Sequence, residues 1–286
     1  MKKLYIILFI LPLICFGQDY DYTPQTTTNN SEDYKEYWEN GKLSVEGNLV
    51  NDKEEGLWKK YYESGQLDWK GNYKDGKPEG NWKFYYESGQ LDSEGNWKDG
   101  KGEGVWKYYY ESGQLNSEGN FKDDKREGLW KYYYESGQLD SEGNFIDGKV
   151  EGVWKYYYEN GQLHQEGNFK DDKREGLWKF YYENGQLYQE VYFKNNQQNG
   201  RWRMYHLNGK LNKEGYYKED KPVGFWKFYN ERGQLFNEGN LVDGKRDGLW
   251  RGYHEEGQLY QKVDYKLGDV KSYNCWDKDG KEIECE

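Results

Sequence analysis

Nine tryptophans stand 24 residues apart: Trp58, Trp82, Trp106, Trp130, Trp154, Trp178, Trp202, Trp226 and Trp250. Tyr34 takes the same place one step earlier. A fixed period of this length marks a repeat architecture. Each unit is one small supersecondary element, and it buries its apolar side chains by stacking on its neighbours. Ten units fit between residues 32 and 271. The segment 272–286 follows as a shortened piece, in which Tyr273, Trp276, Gly280 and Ile283 match the first half of a unit. It reads as a capping hairpin.

The units are made of strands. The chain has no alanine, the best helix former, but it has 36 Gly, 31 Tyr and 13 Trp. In the stretch GLWKYYYESGQLDSEGNF (128–145), two short β-rich runs flank a glycine. That glycine recurs in all ten units, as Gly41, Gly65, Gly89, Gly113, Gly137, Gly161, Gly185, Gly209, Gly233 and Gly257. The residue before it is mostly Ser or Asn, but Arg232 and Glu256 also occur there. Neither tolerates a left-handed backbone well, so a three-residue turn with only the Gly left-handed is expected. The second connection, KDGK.EG or KDDKREG, reads as a longer polar loop. The fold class expected is all-β, an elongated single-layer array of antiparallel hairpins.

Two registers compete within each hairpin. A three-residue turn sets Tyr133 opposite Leu139 and puts Trp130, Tyr132 and Tyr134 on the other face. A two-residue turn sets Lys131 opposite Glu142, a cross-strand ion pair. A basic residue fills the Lys131 place in all ten units and Glu fills the Glu142 place in eight. The first register is the one expected. In both, aromatic side chains occupy the two faces.

The N-terminus, MKKLYIILFILPLICFGQ, reads as a secretory signal peptide over residues 1–17. Lys2 and Lys3 give the positive start, Leu4 to Ile14 the apolar run, and Cys15 and Gly17 the small residues before a cut at Gln18. A lipoprotein site at Cys15 fits less well, because Ile14 before it is large. Residues 18–31 read as a flexible polar leader. Cleavage takes the net charge from −11 to −13, since two lysines leave. An acidic chain is a poor partner for nucleic acid or an anionic membrane surface. In an exported protein, Cys275 and Cys285 are candidates for a disulfide; free thiols are the alternative.

The run FKDDKREGLW (Phe121 to Trp130), followed by a YYxxG turn, resembles the MORN repeat. It is most similar to the variant form in bacterial proteins labelled YwqK-family antitoxins. Where the ordinary repeat has a second Gly, this chain has Trp. The resemblance covers residues 32–283. It implies a MORN-like β-hairpin meander acting as a scaffold, a dimerisation module or a lipid-contacting element, and the label implies an immunity-like, neutralising role.

No motif carries catalysis. HExxH, GxSxG, P-loop and CxxC patterns are missing. His164, His206 and His254 lie in different units, and the Asp123–Asp124 and Asp171–Asp172 pairs lack a ring of ligands. Every unit repeats the same environment, whereas acid–base chemistry needs one pair set apart. The chain is expected to be no enzyme and to hold no metal or cofactor. The tryptophan ladder has two readings. It is the substitute core of a single-layer ribbon, or a binding surface for sugar faces, peptide segments or a second copy. The regularity breaks at Val191–Gly209. There Val191 replaces a common Gly, NNQQNG replaces the charged loop, and Met204 and His206 replace aromatics. The leading functional expectation is an exported scaffold that binds a protein partner. The alternative is a carbohydrate or cell-envelope binding module.

Overall fold

The computed structural model describes residues 30–285. The signal peptide and residues 18–29 of the leader lie outside the described residues. The rest forms 22 antiparallel strands in one sheet, from β1 (Ser31–Tyr37) to β22 (Glu282–Ile283), with no helix among the described residues. Each strand pairs with the strand before it and the strand after it. The chain is therefore one uninterrupted meander, built as a 24-residue hairpin unit repeated along its length.

The unit is well shown by β9 (Lys125–Tyr133), β10 (Leu139–Ile146) and β11 (Lys149–Tyr157). Between β9 and β10, Gly137 N donates to Tyr134 O and Tyr134 N donates to Gln138 O, both at 2.8 Å. The loop is thus Glu135-Ser136-Gly137, and its only positive φ is the 86° of Gly137. The two competing registers coexist. Tyr133 pairs with Leu139 at the tip; then Asp140 is left over and Ser141 pairs with Tyr132. From there Glu142 faces Lys131. A β-bulge absorbs the one-residue difference, so the apolar pair and the ion-pair ladder are both kept. The choice between them posed by the sequence pattern is corrected in that sense.

The second connection is also shorter than expected. β10 ends at Ile146 and β11 starts at Lys149, leaving only Asp147 (φ 52°) and Gly148 (φ 80°) between them. This is a two-residue turn with both residues left-handed, a conformation open to Asp, Asn and Gly. It is held by the preceding unit: Gly148 N donates to Arg126 O at 3.0 Å, and Asp147 N donates to Glu127 Oε2 at 3.0 Å. The flanking Lys and Glu residues read as loop because they are polar. They belong to strands because one edge of the sheet is wet.

Alternation along the strands sends Trp130 and Tyr132 to one face and Leu129, Lys131 and Tyr133 to the other. The tryptophan face is the core. Trp130 is fully buried. Its ring lies between Tyr108 and Tyr132 at 6.3 and 6.2 Å and meets the Phe121 and Phe145 rings edge-on at 5.2 and 6.1 Å. The Arg126 guanidinium lies over it, 4.6 Å from the centroid. Beneath it is Gly119, where a Cβ would fall 2.3 Å from the indole. Indole Nε1 donates to Asn120 O at 3.0 Å, so the one polar atom of the ring is satisfied. An aromatic ring removes roughly 150–250 Å2 from water. Stacked at every unit, such rings give a single sheet the core that aliphatic side chains give to two layers.

Candidate protein-binding face

The nine tryptophans expected as an accessible ladder are only 0–7% exposed. Ring faces sealed by neighbouring aromatics and by backbone leave no plane for a sugar to stack on. The binding role assigned to Trp58, Trp82, Trp106, Trp130, Trp154, Trp178, Trp202, Trp226 and Trp250 is therefore corrected to that of a core. The turn glycines, Gly65 through Gly257, sit at the same left-handed place in every hairpin. Cys275 and Cys285 are joined in a disulfide with Cα atoms 5.3 Å apart. This ties the two-residue strand β22 to β21 (Asp269–Trp276). His206 and His254 take the place of the tyrosines whose hydroxyls bridge to the next unit. Tyr134 OH donates to Tyr157 O at 2.6 Å, and His206 Nε2 contacts Tyr229 O at 2.9 Å. Both histidines are thus turn-edge ties. Among the described residues, no group of His, Cys, Asp and Glu is placed to hold a metal ion.

The open face is the other one. Three rows of side chains cross its strands. The first holds Leu57, Val105, Leu129 and Val153, which are 47–55% exposed, each opposite an asparagine: Leu129 faces Asn144 and Val153 faces Asn168. The second is the ladder of basic and acidic residues, with Lys59–Glu46 at 3.0 Å and Lys83–Glu94 at 3.1 Å. In the third, Tyr133 OH donates to Glu118 Oε1 and Tyr157 OH to Glu142 Oε1, each at 3.0 Å. Burial, reinforced by this carboxylate, pushes Tyr133 and Tyr157 up to about 12. At Glu94 burial works upward, but the bonds from Lys83 and Tyr109 outweigh it and hold its pKa below the usual value.

Across β13 (Lys173–Tyr181), β14 (Leu187–Lys194), β15 (Gln197–Tyr205), β16 (Leu211–Lys218) and β17 (Lys221–Tyr229) the first row changes character. It becomes Leu177, Tyr192, Arg201, Tyr216 and Phe225. Leu177 pairs with Tyr192, and Arg201 with Tyr216. Tyr192, Tyr216 and Phe225 are 40–53% exposed. Arg201 Nη2 donates to Glu214 Oε2 at 3.0 Å, and Arg203 reaches both Glu214 and Glu190 at 3.4 Å. Burial raises the Glu214 pKa, but its bonds from Arg201 and Arg203 more than reverse this and keep the carboxylate ionised. Two shallow hollows open here. One is lined by Leu177, Glu190, Tyr192, Arg201 and Arg203, the other by Arg201, Glu214, Tyr216, Phe225 and Lys227. Arg201 borders both.

Sequence reasoning missed two kinds of residue. One is the glycine under eight of the nine indoles, such as Gly143 beneath Trp154, where a Cβ would fall 2.2 Å from the ring. Its signal was a Gly recurring inside a strand, away from any turn, which marks a close approach. The other is the arginine over the ring, such as Arg174 at 4.4 Å from Trp178. Its signal was weak, because it reads as one more loop charge.

A family model described as MORN repeat variant matches residues 33–51, 54–75, 78–99, 102–123, 126–147, 150–171, 174–195, 198–219 and 246–267. The unit skipped between the last two carries Pro222 and Val223, yet its strands β17 and β18 (Leu235–Val242) pair like the others. No curated protein matches the chain. Solved structures similar to it include a crystal structure of TcdB2-TccC3-Cdc42, at 14% identity over 85% of this chain with TM-score 0.19. Another of TcdB2-TccC3 is 13% identical over 88% with TM-score 0.19, and the Photorhabdus luminescens Tc holotoxin pore is 13% identical over 88% with TM-score 0.20. The chain spans 15–18% of the length of those chains.

Proposed function

This chain belongs to the MORN repeat variant family, and from that premise we propose that it is an exported, non-enzymatic repeat scaffold that binds a protein partner through the face opposite its tryptophans. The observation that carries the reading is the exposed apolar row on that face, Leu57, Val105, Leu129 and Val153, running beside a ladder of paired charges. Exposed apolar chains rimmed by charge suit a protein surface. The burial of the nine repeat tryptophans takes that ladder of rings away from a glycan. The alternation of Lys and Glu, with a net charge of −11, supplies no basic patch for anionic lipid. Export follows from the N-terminal pattern of Lys2, Lys3 and the apolar run to Ile14. An immunity-like pairing with a toxin is the specific form suggested by the resemblance to the YwqK type.

The test is affinity capture by the full chain from an envelope fraction, run beside the variant Val105→Asn/Leu129→Asn/Val153→Asn. Asn81 already occupies this row, so the substitutions suit the fold. One stoichiometric protein should be retained by the native chain and lost with the variant. Retention of polysaccharide alone, or capture unchanged by the variant, overturns the reading. Fractionation of cells carrying the tagged chain should find it outside the cytoplasm.

A further inference from the structure

We propose that Arg201, set between Tyr192 and Tyr216, is the docking point for an acidic side chain on an extended segment of the partner, with Leu177 and Phe225 receiving the apolar residues beside it. This rests on the protein-binding reading and localises it. The row of side chains crosses five neighbouring strands, β13 to β17, on the open face. Elsewhere this row holds Leu, Val, Asn or, towards the ends, Asp, as at Leu57, Val105, Asn81 and Asp264. Here three consecutive places hold Tyr, Arg and Tyr, the residue types that dominate the energetics of protein interfaces.

The charge balance selects the partner. The neighbouring ladder runs Lys179, Glu190, Arg203, Glu214, Lys227, alternating as in most other units. Arg201 adds a cation to this face without adding an acid. It shares Glu214 with Arg203 rather than owning a carboxylate. A guanidinium has five N–H donors in a planar fork, and among the described residues Arg201 places only one nitrogen on an acceptor. Its side chain is 46% exposed, and it borders both hollows. The unfilled part of the fork matches a carboxylate, which takes two parallel N–H donors. A single added cation on a chain of net charge −11 suits one carboxylate and not a polyanion. The exposed phenol and phenyl rings on either side provide contact area at little entropic cost, as aromatic anchors do.

The repeats supply the control. Tyr192→Asn/Arg201→Leu/Tyr216→Asn restores residues that other units carry at these places, so this variant should keep the native circular dichroism. A random dodecapeptide phage library is panned against the full native chain and against the variant. The native chain should enrich peptides with Asp or Glu beside an aromatic or aliphatic residue. A synthetic copy of a selected peptide should bind about tenfold more weakly when its acid is changed to the amide, and about tenfold more weakly to Arg201→Leu alone. Selection of neutral or basic peptides, selection of none, or equal selection by the variant overturns the inference. An envelope partner that binds native and variant chains equally removes this site but leaves the scaffold reading intact. Failure to capture any protein removes the scaffold reading itself.

Discussion

In the regular units from Trp106 to Trp178, each indole lies flat on a glycine; in the stretch around Trp202 it does not. Trp154 rests on Gly143 and donates Nε1 to Asn144 O at 3.2 Å. At Trp202 the place of the glycine is taken by Val191, which is buried and pairs with Trp202 across the strands. The bulge glycine of that strand, Gly200, opens to φ 131°, against 72° for Gly152. Trp202 turns to contact Trp226 at 5.6 Å, and Lys213 sits 5.2 Å from its ring. The effect reaches the next unit, where Trp226 Nε1 donates to Val223 O. One β-branched side chain under the ring therefore resets two tryptophans. The open face changes over the same strands, at Tyr192, Arg201 and Tyr216. The array tolerates the break because Val191 fills the space it alters. The pair Val263–Tyr273 repeats the solution at the C-terminal end, with a smaller ring above the valine.

The comparison can be broken in several ways. The largest effect belongs to Trp130→Ala, which empties a fully enclosed place in the core and should cost about 3–5 kcal/mol. A repeat array need not unfold in one step, so the loss should be read as faster amide hydrogen exchange in β9 and its neighbours. Gly143→Val comes next. Its side chain would displace Trp154, at about 1–3 kcal/mol. The reverse exchange, Val191→Gly, should cost less, since it lets Trp202 settle onto the backbone as elsewhere. Equal costs in a denaturant titration of the two variants would mean that the glycine is not what seats the ring.

Alkali should separate the two regions by a smaller margin. Tyr61, Tyr109, Tyr133 and Tyr157 are raised to about 12, first by burial and then by bonds to glutamates. An unfolded tyrosine ionises near 10. Their contribution to stability is therefore complete below pH 10 and is lost as pH rises from 10 through about 12. Tyr205 is raised by burial and by Glu190, but Arg203 opposes the rise. Phenolate absorbance and sheet signal should change together in this window, and Tyr133→Phe should reduce the stability lost there. An array that keeps its sheet signal to pH 12 would contradict the assignment. The smallest effect concerns the turn edge. Tyr134→Phe removes the bond to Tyr157 O and should cost about 0.5–1.5 kcal/mol. His206→Tyr should be nearly neutral by thermal melting, because tyrosine makes the same tie in the other units.

Much of the fold was legible in the residues. Periodic tryptophan, a recurrent turn glycine and the lack of alanine are local signals, and they specify hairpins in series whatever the packing. The register was not legible, because Tyr133–Leu139 and Lys131–Glu142 looked like rivals. A bulge at Asp140 is a property of paired strands and leaves little trace in one strand's pattern. The candidate site was half legible. The break at Val191–Gly209 stood out by contrast with its neighbours, but the residues that matter on the open face, Tyr192, Arg201 and Tyr216, come from three strands. Only pairing brings them into one row.

The sequence by itself determined the unit, its length, its turn glycine and the number of repeats, because these depend on backbone preference and on side-chain period. The tertiary structure decided which face is core and which is open. The same tryptophan can be a binding ring or a buried one, and composition does not distinguish them. What settles it is that the strand of the preceding unit places a glycine beneath eight of the nine rings, as Gly143 lies under Trp154, and a valine beneath Trp202, and stacks aromatic rings around them, so that the indoles are removed from water.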